Sequence, residues 1–168
     1  MSNTMYSASV PVFVRKLGSL VKWLDKAEAH AQAKKFDSAV YLAARLAPDM
    51  LPFTKQIQIA CDGAKFCIAR LAGIEAPKHE DNETTLAQLK ERIASTLAFM
   101  QSVPEAQIAG SDDKDISVPR RDGAITMKGE FYLNHYALPN FYFHVTTVYA
   151  LLRHNGVELG KGDFLGLT

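Results

Sequence analysis

The stretch Phe131–Gly156, FYLNHYALPNFYFHVTTVYALLRHNG, decides how the chain folds. Read as one long helix, it sets Leu133, Ala137, Asn140, His144, Thr147 and Leu151 on a single face at three- and four-residue spacing, and that face points inward. Asn134, Tyr142, Tyr149 and Arg153 take the outer side. Asn140, His144 and Thr147 therefore stand in the middle of a stripe otherwise fit for a core. Polar atoms removed from water cost about 1–3 kcal/mol each unless they find partners, so this face either holds a hydrogen-bonded network or lines a pocket. Pro139, inside the same helix, leaves the carbonyl of His135 without its usual donor and predicts a kink just ahead of the polar trio.

Three further long helices and one short one are legible upstream. Val10, Phe13, Leu17, Leu20, Leu24 and Ala27 recur at helical period, with Ser7 or Ser9 as the cap, Pro11 in the first turn, and Lys16 among the outward charges. His30, near the end of that helix, reads as a surface residue. A short helix capped by Asp37 or Ser38 runs through Val40, Leu42 and Leu46 and stops at Pro48. A second long helix starts near Pro52 and ends before Gly73, with Ile57, Cys61, Ala64, Ile68 and Leu71 inward. Gln58, Asp62 and Lys65 line its flank. They are either a solvated edge with an Asp62–Lys65 pair or the far wall of a cavity shared with His144. The loop 74–82 leaves His79 in solvent, and Thr85-x-x-Gln88 is a capping box opening a third helix with Leu86, Leu89, Ile93, Leu97 and Met100 inward.

After Pro104 and an acidic linker the pattern alternates. Ile116 and Val118 face Ile125 and Met127 across a hairpin with Asp122-Gly123 at its tip. The tail after Gly156 has too many glycines for regular structure, with Phe164 and Leu165 pinning it down. The expected fold is all-α: an antiparallel four-helix bundle with one β-hairpin inserted before the last long helix, formed as a single domain over residues 1–168.

Composition narrows the function classes. The 168 residues are 48% hydrophobic and 22% charged with a net charge of +1, which offers no basic excess for nucleic acid or an anionic membrane. The N-terminus carries neither a signal-peptide pattern nor a spanning run, so the expected location is cytoplasmic. Cys61 and Cys67, six apart on one helix, read as buried thiols and not as a disulfide. Phosphate loops, nucleophile elbows and zinc-ribbon spacings do not occur.

The stretches LDKAEAHAQAKKFD, ARLAPDMLPFTKQIQIACDGAKFCIARLAG and HYALPNFYFHVTTVYALLRHNG with VELGKGDFLG resemble an uncharacterised bacterial family within the DinB/YfiT-like superfamily of metalloenzymes. The resemblance runs from end to end. It implies a four-helix bundle, often dimeric, in which three histidines hold a divalent metal such as zinc or nickel. Some members of the superfamily are thiol-dependent transferases or isomerases. Two of the ligating histidines lie four apart on the last helix and the third on the second helix. His144, twelve residues before Gly156, matches the last-helix position. Asn140 stands where its companion belongs, and Gln58 or Ile59 where the second-helix ligand belongs. One imidazole and two amides hold zinc or nickel poorly.

Two functions of different class are consistent with these residues. The first is a small-molecule-binding or structural homodimer without the metal, with a hydrogen-bonding cavity around Gln58, Asp62, Asn140, His144 and Thr147. The alternative is an enzyme of the transferase kind, in which His144 ligates a metal or acts as a general base.

Overall fold

The computed structural model describes residues 4–167. Helix α1 spans Val10–Lys34 and buries Phe13, Leu17, Leu20, Trp23, Leu24 and Ala27 along the stripe its sequence sets out. A 3-10 helix, Ser38–Ala43, comes next, its first turn capped by the Asp37 carboxylate, which accepts from Ala39 N at 2.9 Å. The turn ends earlier than its periodicity suggests, and Leu46 is left exposed beyond it. Helix α2 is Phe53–Ala72 and closes on Gly73 in the left-handed region at φ 71°, where a side chain is strained. Helix α3 is Leu86–Ser102, opened by Thr85, whose hydroxyl accepts from Gln88 N at 3.1 Å. A single turn, α4, covers Glu105–Ile108.

Strands β1 (Asp115–Arg120) and β2 (Gly123–Lys128) pair antiparallel, with Ile116 opposite Met127 and Val118 opposite Ile125. The two residues outside the ladder are Arg121 and Asp122, so the tip lies one residue earlier than the Asp122-Gly123 expectation. Gly123 closes it at φ 126°, a conformation only glycine takes without strain. Ile116, Val118 and Met127 are buried, which is how a two-stranded sheet too small to stand alone is kept.

The hairpin passes directly into the decisive stretch. Helix α5 is Gly129–Phe131, a π-helical turn covers Tyr132–Ala137, and α6 runs Leu138–His154. The expected disturbance before Pro139 is present, and it takes the form of i→i+5 bonding. Leu138 N donates to Leu133 O. Helix α2 packs on α6 and α3, and α1 packs mainly on α3, around a cluster that includes the edge-to-face pair Phe13–Phe141.

The tail departs from expectation. It forms helix α7, Lys161–Leu165, because Asp163 caps its own first turn by accepting from Gly160 N at 2.8 Å, and Gly166 ends it at φ 69°. Phe164 stacks on Trp23 with ring centroids 5.7 Å apart, and Trp23 Nε1 donates to Asp163 O. Leu165, 44% exposed, does no pinning. Lys16, assigned from sequence to the outer face, lies under this tail, its ammonium 4.0 Å from the Phe164 ring centroid and donating to Phe164 O.

Among the described residues no helix is long and apolar enough to cross a membrane.

Candidate functional site

His144 faces inward, with 8% of its surface exposed. Its partner is Gln56 on the first turns of α2: the ring Nδ1 lies 2.7 Å from Gln56 Oε1. The amide is itself oriented, because Gln56 Nε2 donates to Leu51 O at 2.9 Å. Gln56 can therefore only accept from the imidazole, which places the ring proton on Nδ1 and leaves the Nε2 lone pair uncommitted. Burial holds the ring below the usual imidazole range, so the neutral form prevails at neutral pH.

The other four expected residues do not gather around that ring. Thr147 is buried, but its hydroxyl donates to Phe143 O at 2.8 Å within its own helix. Asn140 is half-buried and its side chain makes no hydrogen bond among the described residues; its amide nitrogen lies 3.6 Å from where a Cβ on Gly63 would stand. Gln58, 2% exposed, turns to the opposite flank of α2, where its Nε2 donates to Glu83 Oε2 at 2.7 Å. Asp62 goes the same way. Gln58 and Asp62 are thus held by Glu83 and Arg92, away from the Gln56–His144 pair.

On that flank the structure builds a second polar cluster, centred on Arg92 of α3, which is 4% exposed. Its guanidinium reaches Glu83 Oε1 at 2.9 Å, Asp62 Oδ1 at 3.0 Å and Asp81 Oδ1 at 3.1 Å. Asp62 also pairs with Lys65 at 3.0 Å, as one of the two sequence readings had it, but the edge is not solvated, since Lys65 is 1% exposed. The connection from α2 to α3 folds back over this flank. It carries His79, expected in solvent, to a half-buried position where Nδ1 lies 3.3 Å from Lys65 Nζ and Nε2 lies 3.1 Å from Ser95 Oγ. An ammonium can only donate, so His79 accepts at Nδ1 and donates from Nε2. Burial would raise the Glu83 carboxyl, but the hydrogen bonds from Arg92 and Gln58 outweigh it and hold the group below the usual carboxylate range. Gln58 Oε1 and Arg92 Nε remain buried without partners.

Gln56 and Arg92 were missed in the sequence. Gln56 had a signal, because it lies three residues after Phe53 and four before Ala60, on the broad apolar stripe of α2. Arg92 sits beside Ile93 and four before the buried Thr96, so it shares the inward side of α3. A charge on that side is accounted for only by the acids of the returning loop.

The buried His144 ring and the half-buried His79 ring predict an acid-sensitive fold. Burial lowers His144, and burial followed by the charges of Lys65 and Arg92 lowers His79. An unfolded histidine titrates near ~6.5. The unfolded chain thus binds more protons as the pH drops, and the stability these groups give above that value is lost as the pH falls through their lower folded values. The urea midpoint should decrease from pH 7.5 to pH 5.5, and the decrease should be smaller in His79→Gln. A midpoint that rises over this interval contradicts both assignments.

These features define a mostly helical protein with a small antiparallel hairpin, of DinB-like fold. It is similar to the crystal structure of a DinB family member protein from Shewanella denitrificans, with 48% sequence identity over 95% of this chain and 90% of that one and a TM-score of 0.90. Residues 5–165 match the family described as a domain of unknown function, DUF1993, and the chain belongs to that family. No curated protein shows significant similarity to it.

A three-histidine metal site of the kind the resemblance implies does not fit the residues present. His144 offers one nitrogen, Asn140 an amide, and Gln58 is committed to Glu83 on the other flank. Among the described residues no three His, Cys, Asp or Glu side chains are grouped so as to hold a metal ion.

Proposed function

We propose that this protein is a DinB-type four-helix bundle that works without a resident metal and binds a small molecule at the Nε2 edge of His144, as a homodimer. The observation that carries this reading is the Gln56–His144 hydrogen bond. Gln56 fixes the ring as a neutral acceptor in a half-apolar setting, an arrangement suited to receiving an N–H or O–H from a ligand. Phe143, 56% exposed beside His144, and Leu51, 47% exposed beside Gln56, supply apolar surface next to that acceptor. Phe131, 55% exposed on α5, is a further apolar side chain available to a second copy.

Elemental analysis of the purified protein tests the reading. We expect zinc and nickel far below one per chain, unchanged in His144→Ala. Stoichiometric metal lost in that variant would replace this reading with the metal-dependent transferase. Sedimentation equilibrium of the same sample should give twice the chain mass, and a monomer at micromolar concentration removes the homodimer from the proposal.

A further inference from the structure

Away from His144, a cleft of about 490 Å³ lies where the last turns of α1 meet the chain leaving α6. Its most constrained member is His30, read from sequence as a surface residue and half-buried in the structure. His30 Nδ1 lies 2.7 Å from the hydroxyl of Tyr41, a side chain only 1% exposed. Burial raises the Tyr41 hydroxyl, which keeps its proton. That proton has one acceptor among the described residues, the His30 nitrogen. Tyr41 therefore donates, Nδ1 accepts, and in the neutral ring the proton sits on Nε2. Phe36 meets the imidazole edge-on at 5.8 Å and Tyr41 at 5.6 Å, so the ring is held by packing as well.

Nε2 is turned toward Gly156, which also lines the cleft. A Cβ on Gly156 would stand 3.5 Å from it, and glycine, at φ 87°, leaves that approach clear. The cleft thus receives an N–H donor of fixed direction. Around it, Lys26 is committed to Asp163 at 2.6 Å, but Lys34 and the Glu158 carboxylate form no hydrogen bond or ion pair among the described residues. Ala29 and Ala33 also line the cleft and add apolar surface. Two opposite charges thus share one cleft without neutralising each other. A simple anion there would face Glu158, and a simple cation would face Lys34 and the imidazole N–H.

We propose that this cleft binds a small zwitterion of the α-amino-acid type, its carboxylate at His30 Nε2–H and Lys34 and its ammonium at Glu158. Tyr41 is a positioning residue, acting through the tautomer it imposes. The cleft shares no residue with the His144 site, so its failure leaves that reading standing.

The test uses the full-length ¹⁵N-labelled protein. Two-bond ¹H–¹⁵N spectra of the ligand-free protein should show the Nε2–H tautomer at His30. Glycine, L-alanine and L-leucine are then titrated beside acetate and methylammonium, the two halves of the ligand. We expect saturable shifts of the His30 ring signals with the amino acids. Binding should weaken by about tenfold in each of His30→Gln and Glu158→Gln, and for each half-ligand alone, about 1.4 kcal/mol apiece. Both substitutions fall on side chains that are not core, and the amide spectrum reports that the fold is kept. An Nδ1–H tautomer overturns the proposal. So does acetate binding as tightly as the amino acids with Glu158→Gln indifferent, and so does the absence of any His30 response at millimolar amino acid.

Discussion

Replacing Arg92 by methionine should lower the stability of the fold by about 3–5 kcal/mol, the range seen when one partner is removed from a buried ion pair. Three carboxylates depend on this guanidinium, but unequally. Asp81, 46% exposed, and Asp62, 32% exposed, are screened by water and lose little. Glu83, at 8%, has no such recourse. With the guanidinium gone, its Oε1 loses its donor, while Gln58 still donates to its other oxygen. Glu83→Gln made together with Arg92→Met should recover part of the loss, because the charge that needed compensation is gone as well. Urea unfolding of the two variants and the double mutant measures the coupling directly. An Arg92→Met protein within about 1 kcal/mol of the natural one would mean that the returning loop does not rely on this ion cluster.

Gly129→Ala is the second large effect. A Cβ at this position would stand 1.8 Å from the carbonyl oxygen of Ser111 and 2.9 Å from its carbon, and both are backbone atoms that cannot rotate aside. Gly129 is the first residue of α5, where β2 hands the chain to the decisive stretch, and the next residue is tied back by Glu130 N donating to Asp112 O at 2.9 Å. The methyl must push the Ser111–Asp112 segment away and loosen that tie. Overpacking in a closed site costs about 1–3 kcal/mol and more where backbone has to move, so a loss of about 3 kcal/mol is expected. Gly18→Ala is the matched control. Nothing lies within 4 Å of a Cβ there, and a methyl inside α1 should stabilise by about 0.5–1 kcal/mol. Equal melting temperatures for the two variants would show that the Ser111 contact does not constrain this position.

The long helices were legible because each carries a long apolar stripe, and the hairpin because its alternation and turn residues agree. What escaped was set by contacts between segments far apart in the chain. Lys65 reads as a solvated flank residue next to Asp62; it is buried because residues 74–85 return over it, and no local period announces a loop's destination. His79 was misplaced, and Arg92 passed over, for the same reason. Gln58 and Asp62 were assigned to the His144 side, whereas α2 presents Gln56 to α6 and keeps those two for α3 and the loop. Lys16 was read as outward because its neighbours on α1 are charged, and only the packing of Phe164 from the other end of the chain covers it. The tail itself was judged by its glycines. Two of them, Gly160 and Gly166, turned out to bracket a helix instead of preventing one.

The π turn at Tyr132–Ala137 has a bearing on how the last helix divides its labour. A helical turn that takes in an extra residue sets the residues beyond it out of phase with those before it, by roughly the 100° that one residue of an α-helix contributes. The N-terminal part of this helix consequently addresses one quarter of the interior, where Tyr132 accepts from Arg70 at 3.0 Å and Tyr136 lies beneath Arg120. The C-terminal part addresses another, where Phe141 meets Phe13 and His144 meets Gln56. One continuous rod thus serves two separate sets of neighbours, and the offset between them is what brings the imidazole into line with its amide.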